Sequence, residues 1–275
     1  MDTLCRIFEI SRSGYYAWIN RKPSGRELSN QALLRELVRL HEKYPAMGLN
    51  SLFHLLRQQG VVCGRGRVHR LMQRFNIHSA RKRAYRVTTN SNHSYPIAPN
   101  LLMRHFHAAQ PGKAWVGDIT YIPTDEGWLY LAIVKDLCTK QVVGYAFSDR
   151  IDTNLTLAAL RMAIRRKRPA AGLIFRSDRG VQYAASAFRN ELLKHGVRQS
   201  MSRRGDPYDN AVAENFFSCL KCELIHLTHF STRRNAENAV YSYIECFYNA
   251  SRPHSGLGWI APNAFENHLL ASSVA

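Results

Sequence analysis

Three acidic residues stand where acids are locally out of place. Asp118 interrupts Trp115-Val116-Gly117-Asp118-Ile119-Thr120-Tyr121-Ile122, an otherwise largely apolar run with strand character. A lone carboxylate buried there costs several kcal/mol unless something pairs with it. Asp178 follows the short apolar strand Leu173–Phe175 and precedes Arg179-Gly180, a tight exit. In α/β sheets that carboxyl end of a strand is where ligands gather. Glu214 falls in the first turns of a helix whose core face is Phe217, Leu220 and Leu224. Cations look scarce in the strand itself, so converging acids point to a divalent metal, and all-oxygen ligation suits Mg²⁺ or Mn²⁺. Fifty-nine residues separate the two aspartates and 35 separate Asp178 from Glu214. Those intervals prove little on their own. The settings (mid-strand, strand end, helix start) carry the case against three ordinary surface acids.

The elements that must position these groups are legible in outline. Ala114–Ile122, Trp128–Asp136 and Val142–Phe147, joined by the turns at Thr124–Gly127 and Cys138–Lys140, predict an antiparallel meander. A helix with Asp152 or Thr153 as cap and Leu157, Leu160 and Ile164 on its apolar face ends at Pro169. A short strand, a helix Ser186–His195, a last strand Val197–Met201 and a helix from about Asn210 to Leu224 complete an α/β core. Residues 113–228 form that core, 229–275 a C-terminal helix and basic tail, and 81–112 a basic, polar linker with Pro96, Pro99 and Pro111. Residues 1–80 read as helical. Leu33, Leu37 and Leu40 share one face, with Ser29 or Asn30 as cap, and further short helices hold Leu52–Leu56 and Val68–Phe75 behind Gly64 and Gly66. Short helices with glycine-containing turns suit a helix-turn-helix unit, though three-helix bundles share the pattern.

Charge indicates the partner. The 275 residues hold 38 Lys and Arg against 20 Asp and Glu, a net charge of +18. Residues 1–105 carry 18 of those cations and 5 of the acids, and no acid lies between Glu42 and Asp118. Basic residues interleaved with helical apolar spacing, Arg67, Arg70 and Arg74 among them, describe a surface for nucleic acid rather than a low-complexity tail. No apolar run reaches membrane-span length, Met1-Asp2-Thr3 does not begin a secretory signal, and six cysteines read as reduced thiols. The expected location is the cytoplasm.

Beyond their types, the three acids sit in recognisable words. Trp115–Tyr121, Ser177-Asp178-Arg179-Gly180-Val181-Gln182-Tyr183 and Asp209–Phe217 resemble the integrase-core DDE transposases of bacterial insertion sequences. The match is to the second-reading-frame product of the IS-three family, whose core is similar to retroviral integrase. Ser200–Asp206, Phe247-Tyr248-Asn249 and Arg252-Pro253-His254-Ser255 share the resemblance, which spans nearly the whole chain. It implies a ribonuclease-H-like core, a mixed five-stranded sheet flanked by helices, behind a small all-helical region. It implies Asp118, Asp178 and Glu214 as a catalytic triad holding two Mg²⁺ ions, with Mn²⁺ as a substitute, and Lys221 as the basic residue two helical turns after the glutamate. At i+7, Lys221 shares the face of Glu214 and could hold a phosphate there. The implied chemistry is in-line phosphoryl transfer that cuts and joins DNA strands without a protein nucleophile. The implied partners are double-stranded DNA (terminal inverted repeats and target), the first-frame product or a frameshift fusion with it, and further copies of the chain on DNA. One departure is plain. Where the family carries an arginine pair after the tyrosine of its first long helix, this chain reads Tyr44-Pro45-Ala46-Met47-Gly48-Leu49-Asn50-Ser51. Its helix-turn-helix character therefore rests on periodicity and charge.

Rival motifs are weaker. Cys219, Cys222, His226 and His229 lie in one helix and its exit, with no loop to wrap them around a tetrahedral zinc, and His105 and His107 lack a partnered Cys pair. Asp136 and Asp206 read as strand-end and loop acids. Trp115, Tyr121, Trp128 and Tyr130 read as core aromatics, and Tyr15, Tyr16 and Trp18 as helix packing. Arg203 and Arg204, in a Gly-Pro loop before the catalytic helix, are candidates for DNA backbone contact against the plainer reading of a solvated loop. Two alternative functions stay open at this point: a catalytically retired DNA-binding protein, and a ribonuclease-H-type nuclease.

Overall fold

The computed structural model describes residues 2–80, 98–99, 101, 108–202 and 211–272, and divides into two compact units, 1–78 and 79–275. Arg203 and Arg204, and most of the expected linker, lie outside the described residues.

The first unit is wholly helical: α1 (Asp2–Ile7), α2 (Arg12–Ile19), α3 (Gly25–Lys43), α4 (Leu49–Gln58) and α5 (Arg65–Arg74). Leu33, Leu37 and Leu40 of α3 bury against Leu52, Leu55 and Leu56 of α4 and Val68, Leu71 and Met72 of α5, as the spacing requires. The cap of α3 lies earlier than its apolar stripe suggests. Ser24 Oγ accepts from the Glu27 amide at 3.2 Å, while Ser29 and Asn30 are inside the helix. Those two residues take the Arg67 guanidinium instead, at 2.8 and 2.7 Å. Helix α2 buries no residue, and Trp18 is 69% exposed, so Tyr16 and Trp18 do not pack as expected.

In the second unit β1 (Ala114–Thr124), β2 (Gly127–Asp136) and β3 (Val142–Ser148) form the antiparallel meander, and β4 (Ile174–Ser177) and β5 (Arg198–Met201) extend it in parallel. The order β3-β2-β1-β4-β5 makes the mixed five-stranded sheet of the expected α/β core. One face is covered by α6 (Thr153–Lys167), α7 (Val181–Ala184) and α8 (Ser186–Lys194), which share a core with Trp115, Val134, Phe175 and Met201. Close approach on this side needs glycine: a Cβ at Gly144 would meet the Ala159 carbonyl oxygen and the Ala163 amide of α6. The opposite face meets α9 (Ala211–Glu223) through Val116, Leu137 and Ala213.

Beyond α9, α10 (Arg233–Ser242) runs on into a π-helical turn, Tyr243–Tyr248, and what reads in sequence as a tail closes with α11 (Pro262–Ser272). This segment is stitched to the sheet. Asn249 exchanges two 3.0 Å hydrogen bonds with the Val142 backbone, and Gln141 donates to Asn263 and Glu266 at 2.8 Å each. Trp115 is fully buried as expected, whereas Trp128 is 44% exposed and rests edge-on against Tyr121.

Candidate active site

Strand register brings the two aspartates together. Val116 of β1 pairs with Arg176 of β4 in a parallel ladder, so two residues further along Asp118 stands level with Asp178, just past the end of β4. There the strands part and a pocket opens, lined by Asp118, Thr120, Tyr121, Asp178, Gln182 and Tyr183. Each aspartate is half-buried and locally oriented. Asp118 Oδ1 accepts from the Ile119 amide at 2.8 Å, and Asp178 Oδ1 accepts from the Gly180 amide at 2.9 Å in a tight turn. Arg179 Nε, alongside, donates to the Ser202 carbonyl at 2.7 Å.

Lys221 belongs to this neighbourhood. Its amine lies 4.9 Å from the centre of the Tyr121 ring, burial lowers its pKa, and the charge of Asp118 opposes that shift. Glu214, two turns earlier on α9, is exposed as a residue and does not line the aspartate pocket. Its carboxyl is still partly screened from water, which raises its pKa. Among the described residues no three His, Cys, Asp or Glu side chains converge closely enough to hold a metal ion. The candidate zinc ligands therefore do not cluster, and all six cysteines are free thiols. His229 instead meets Asp125 at 3.0 Å.

Of the basic residues expected to meet DNA, Arg70 and Arg74 are exposed on α5, with Arg74 over the Phe75 ring. Arg67 is half-buried in its bonds to α3.

Three groups at or near the site escape a reading by composition. Tyr183 is 2% exposed, its hydroxyl has no hydrogen-bond partner among the described residues, and burial with the charges of Asp118 and Asp178 holds its pKa well above the usual phenol value. The strand of Asp118 holds no Lys or Arg, as expected, but its two neighbours each bury a cation, Lys135 on β2 and Arg176 on β4. Both are buried within the sheet, and Lys135 Nζ donates to the Val212 carbonyl of α9 at 3.3 Å. Burial brings the Lys135 pKa down to about 7. A charge inside the apolar run Leu129–Asp136 is the same signal that singles out Asp118.

Comparison with known families agrees with this architecture. Integrase core domain families match residues 108–207 and 195–262, and an HTH-like domain family matches 28–85. The chain is 44% identical over 275 residues to the insertion element IS600 uncharacterized 31 kDa protein of Shigella sonnei, covering 98% of this chain and 100% of that one. It is 38% identical over 278 residues to transposase InsF for insertion sequence IS3A of Escherichia coli strain K12, covering 98% and 95%. Among solved structures, the HTLV-2 integrase catalytic core domain in complex with magnesium aligns with 58% of this chain and 99% of its own, at 13% identity and a TM-score of 0.45. With 38% identity to the transposase over nearly its full length, and an integrase core behind an HTH-like domain, the chain belongs to the IS3-type family of bacterial insertion-sequence transposases.

Proposed function

We propose that the chain carries out metal-dependent phosphoryl transfer on DNA, cutting strands at the ends of its insertion element and joining them to a target. The observation that supports this most is the register that sets Asp118 level with Asp178 at one pocket. The donor set fits the expected cation, since Mg²⁺ is typically held by one or two carboxylates with water and substrate phosphate oxygens filling its octahedron. Asp118 and Asp178 would form the protein's part of one such site, and Glu214 would complete the triad for a second ion. Once bound, Mg²⁺ or Mn²⁺ supplies a polarised phosphate, an activated attacking hydroxyl and a stabilised leaving oxygen.

The other residues bind and orient. Lys221, beside Asp118, balances phosphate charge at the pocket, and Arg203 and Arg204 contribute further contacts to the DNA backbone. On the helical unit Arg70 and Arg74 take phosphates, while Arg67 contributes by fixing α5 against α3. The partners in this reading are the element's terminal repeats, target DNA, further copies of the chain, and the first-frame product or a fusion with it, all in the cytoplasm. The test is a cleavage assay on an element-end duplex with Mg²⁺. Asp118→Asn, Asp178→Asn and Glu214→Gln should each reduce cutting to background while duplex binding stays within about threefold. Wild-type cutting by any of the three would remove that residue from the triad. A chain that binds but never cuts would favour the retired DNA-binding reading, and preferential cutting of RNA–DNA hybrid the nuclease reading.

A further inference from the structure

Tyr183 is built into the floor of the aspartate pocket with more rigidity than a packing residue needs. Its ring sits 5.3 Å from Phe188 and 6.2 Å from Phe175, centre to centre, and its carbonyl accepts from Gln199 Nε2 at 2.7 Å. Gly117, the residue before Asp118, makes room for it. A Cβ there would stand 2.5 Å from Phe175 Cζ and 3.3 Å from Tyr183 Cε1. The ring is thus pressed against β1 beside one aspartate, five residues after the other. Phenylalanine would supply all of these contacts. The hydroxyl remains unaccounted for: it is buried, has no hydrogen-bond partner among the described residues, and feels the charge of both carboxylates. Buried hydroxyls are nearly always satisfied, so one left unpaired on a residue that lines the same pocket as two carboxylates calls for a state in which it is paired.

We propose that Tyr183 is a positioning residue for the cation site, its hydroxyl donating to a carboxylate oxygen of the Asp118–Asp178 pair when that pair closes on a divalent cation. The proposal rests on the metal-dependent reading above. Two carboxylates facing one pocket repel each other when nothing bridges them. Drawn inward together, they would come within reach of the Tyr183 hydroxyl at the same pocket, and the hydrogen bond would then fix their orientation. Outer partners of this kind commonly contribute tenfold to a hundredfold to metal affinity.

The test is Tyr183→Phe in the full chain, with Mn²⁺ binding followed by electron paramagnetic resonance and unfolding followed with and without Mg²⁺. Without cation the variant should melt no lower than wild type, because an unpartnered hydroxyl is all it loses. Its Mn²⁺ affinity should fall about tenfold or more. The Mg²⁺ concentration that half-saturates cleavage should rise by the same factor, and the Mg²⁺-induced rise in Tm should shrink. Phe188→Leu loosens the same aromatic cluster without touching the hydroxyl, so it should lower Tm and leave Mn²⁺ affinity unchanged. Unaltered Mn²⁺ affinity in Tyr183→Phe, beside a wild type that binds, overturns the proposal alone. So does a matching loss of affinity in Phe188→Leu, which would make the effect one of packing. A wild-type chain that takes up no Mn²⁺ overturns the metal-dependent reading and this proposal with it.

Discussion

Two aspartates in neighbouring strands show how a structural acid differs from a chemical one. Asp136 is 3% exposed and fully engaged: it accepts from the Gly112, Cys138 and Thr139 amides at 2.8–2.9 Å and from Trp115 Nε1 at 3.1 Å. Those bonds tie the start of β1 to the β2–β3 turn. Asp118 is half-buried and opens on a pocket. Asp136→Ala should therefore orphan several buried donors and cost about 2–4 kcal/mol, whereas Asp118→Ala should leave stability within about 1 kcal/mol of wild type. Urea denaturation of both variants checks the contrast, and equal losses would contradict it. Lys135 gives a pH dependence whose sign is fixed. Burial holds its amine near pKa 7 in the folded chain, far below the ordinary lysine value, so the unfolded chain binds more protons above pH 7. Its contribution makes the fold more stable as pH rises from about 7 toward 10. Lys135→Met should flatten that rise in denaturation midpoint, and an unchanged pH profile would show that the lysine is solvated in the folded state.

At the scale of elements, local chemistry was readable and long-range pairing was not. The three strands of the meander and the apolar stripe of α3 follow from alternation and 3.6-residue spacing, each visible within a dozen residues. The last helix has a local signal of the same kind: Pro262 followed by Asn263, Ala264, Phe265 and Glu266 is a helix start with proline in its first position. The parallel register that aligns Asp118 with Asp178 left no mark in the sequence, because it depends on how α6 returns the chain to the sheet. Glu214 could be assigned to a helix start by its neighbours, but its distance from the aspartates could not. Nor could the engagement of Arg67, which looks like any other basic residue of α5 until Ser29 and Asn30 are placed opposite it. That difference is testable. Arg67→Ala should cost about 1–3 kcal/mol through its lost hydrogen bonds to α3, seen as a lower midpoint for the helical unit. Arg70→Ala and Arg74→Ala should leave that midpoint unchanged and weaken duplex binding.

For the whole molecule, net positive charge is denser along the helical unit than along the sheet unit, which suits the proposed division between holding DNA and cutting it. Residues 1–78 carry 13 Lys and Arg against 5 acids in a helical unit, and the acids of the sheet unit include the three proposed to do chemistry. Carboxylates repel phosphate until a cation bridges them, so affinity for the backbone has to come from elsewhere on the chain. Electrostatic binding of this kind releases counterions, and about 6–10 phosphate contacts lose about 10³–10⁵ in affinity between 50 and 200 mM salt. Binding of the full chain to duplex DNA, measured without divalent cation across that range, should show such a slope. Arg70→Gln and Arg74→Gln should each lower the slope by about one phosphate contact. Asp118→Asn should leave it unchanged or steepen it slightly, because removing a negative charge cannot release fewer counterions. If instead the arginine variants keep the full slope, the α5 surface is not where the backbone is held, and the basic residues of the second unit must carry the affinity.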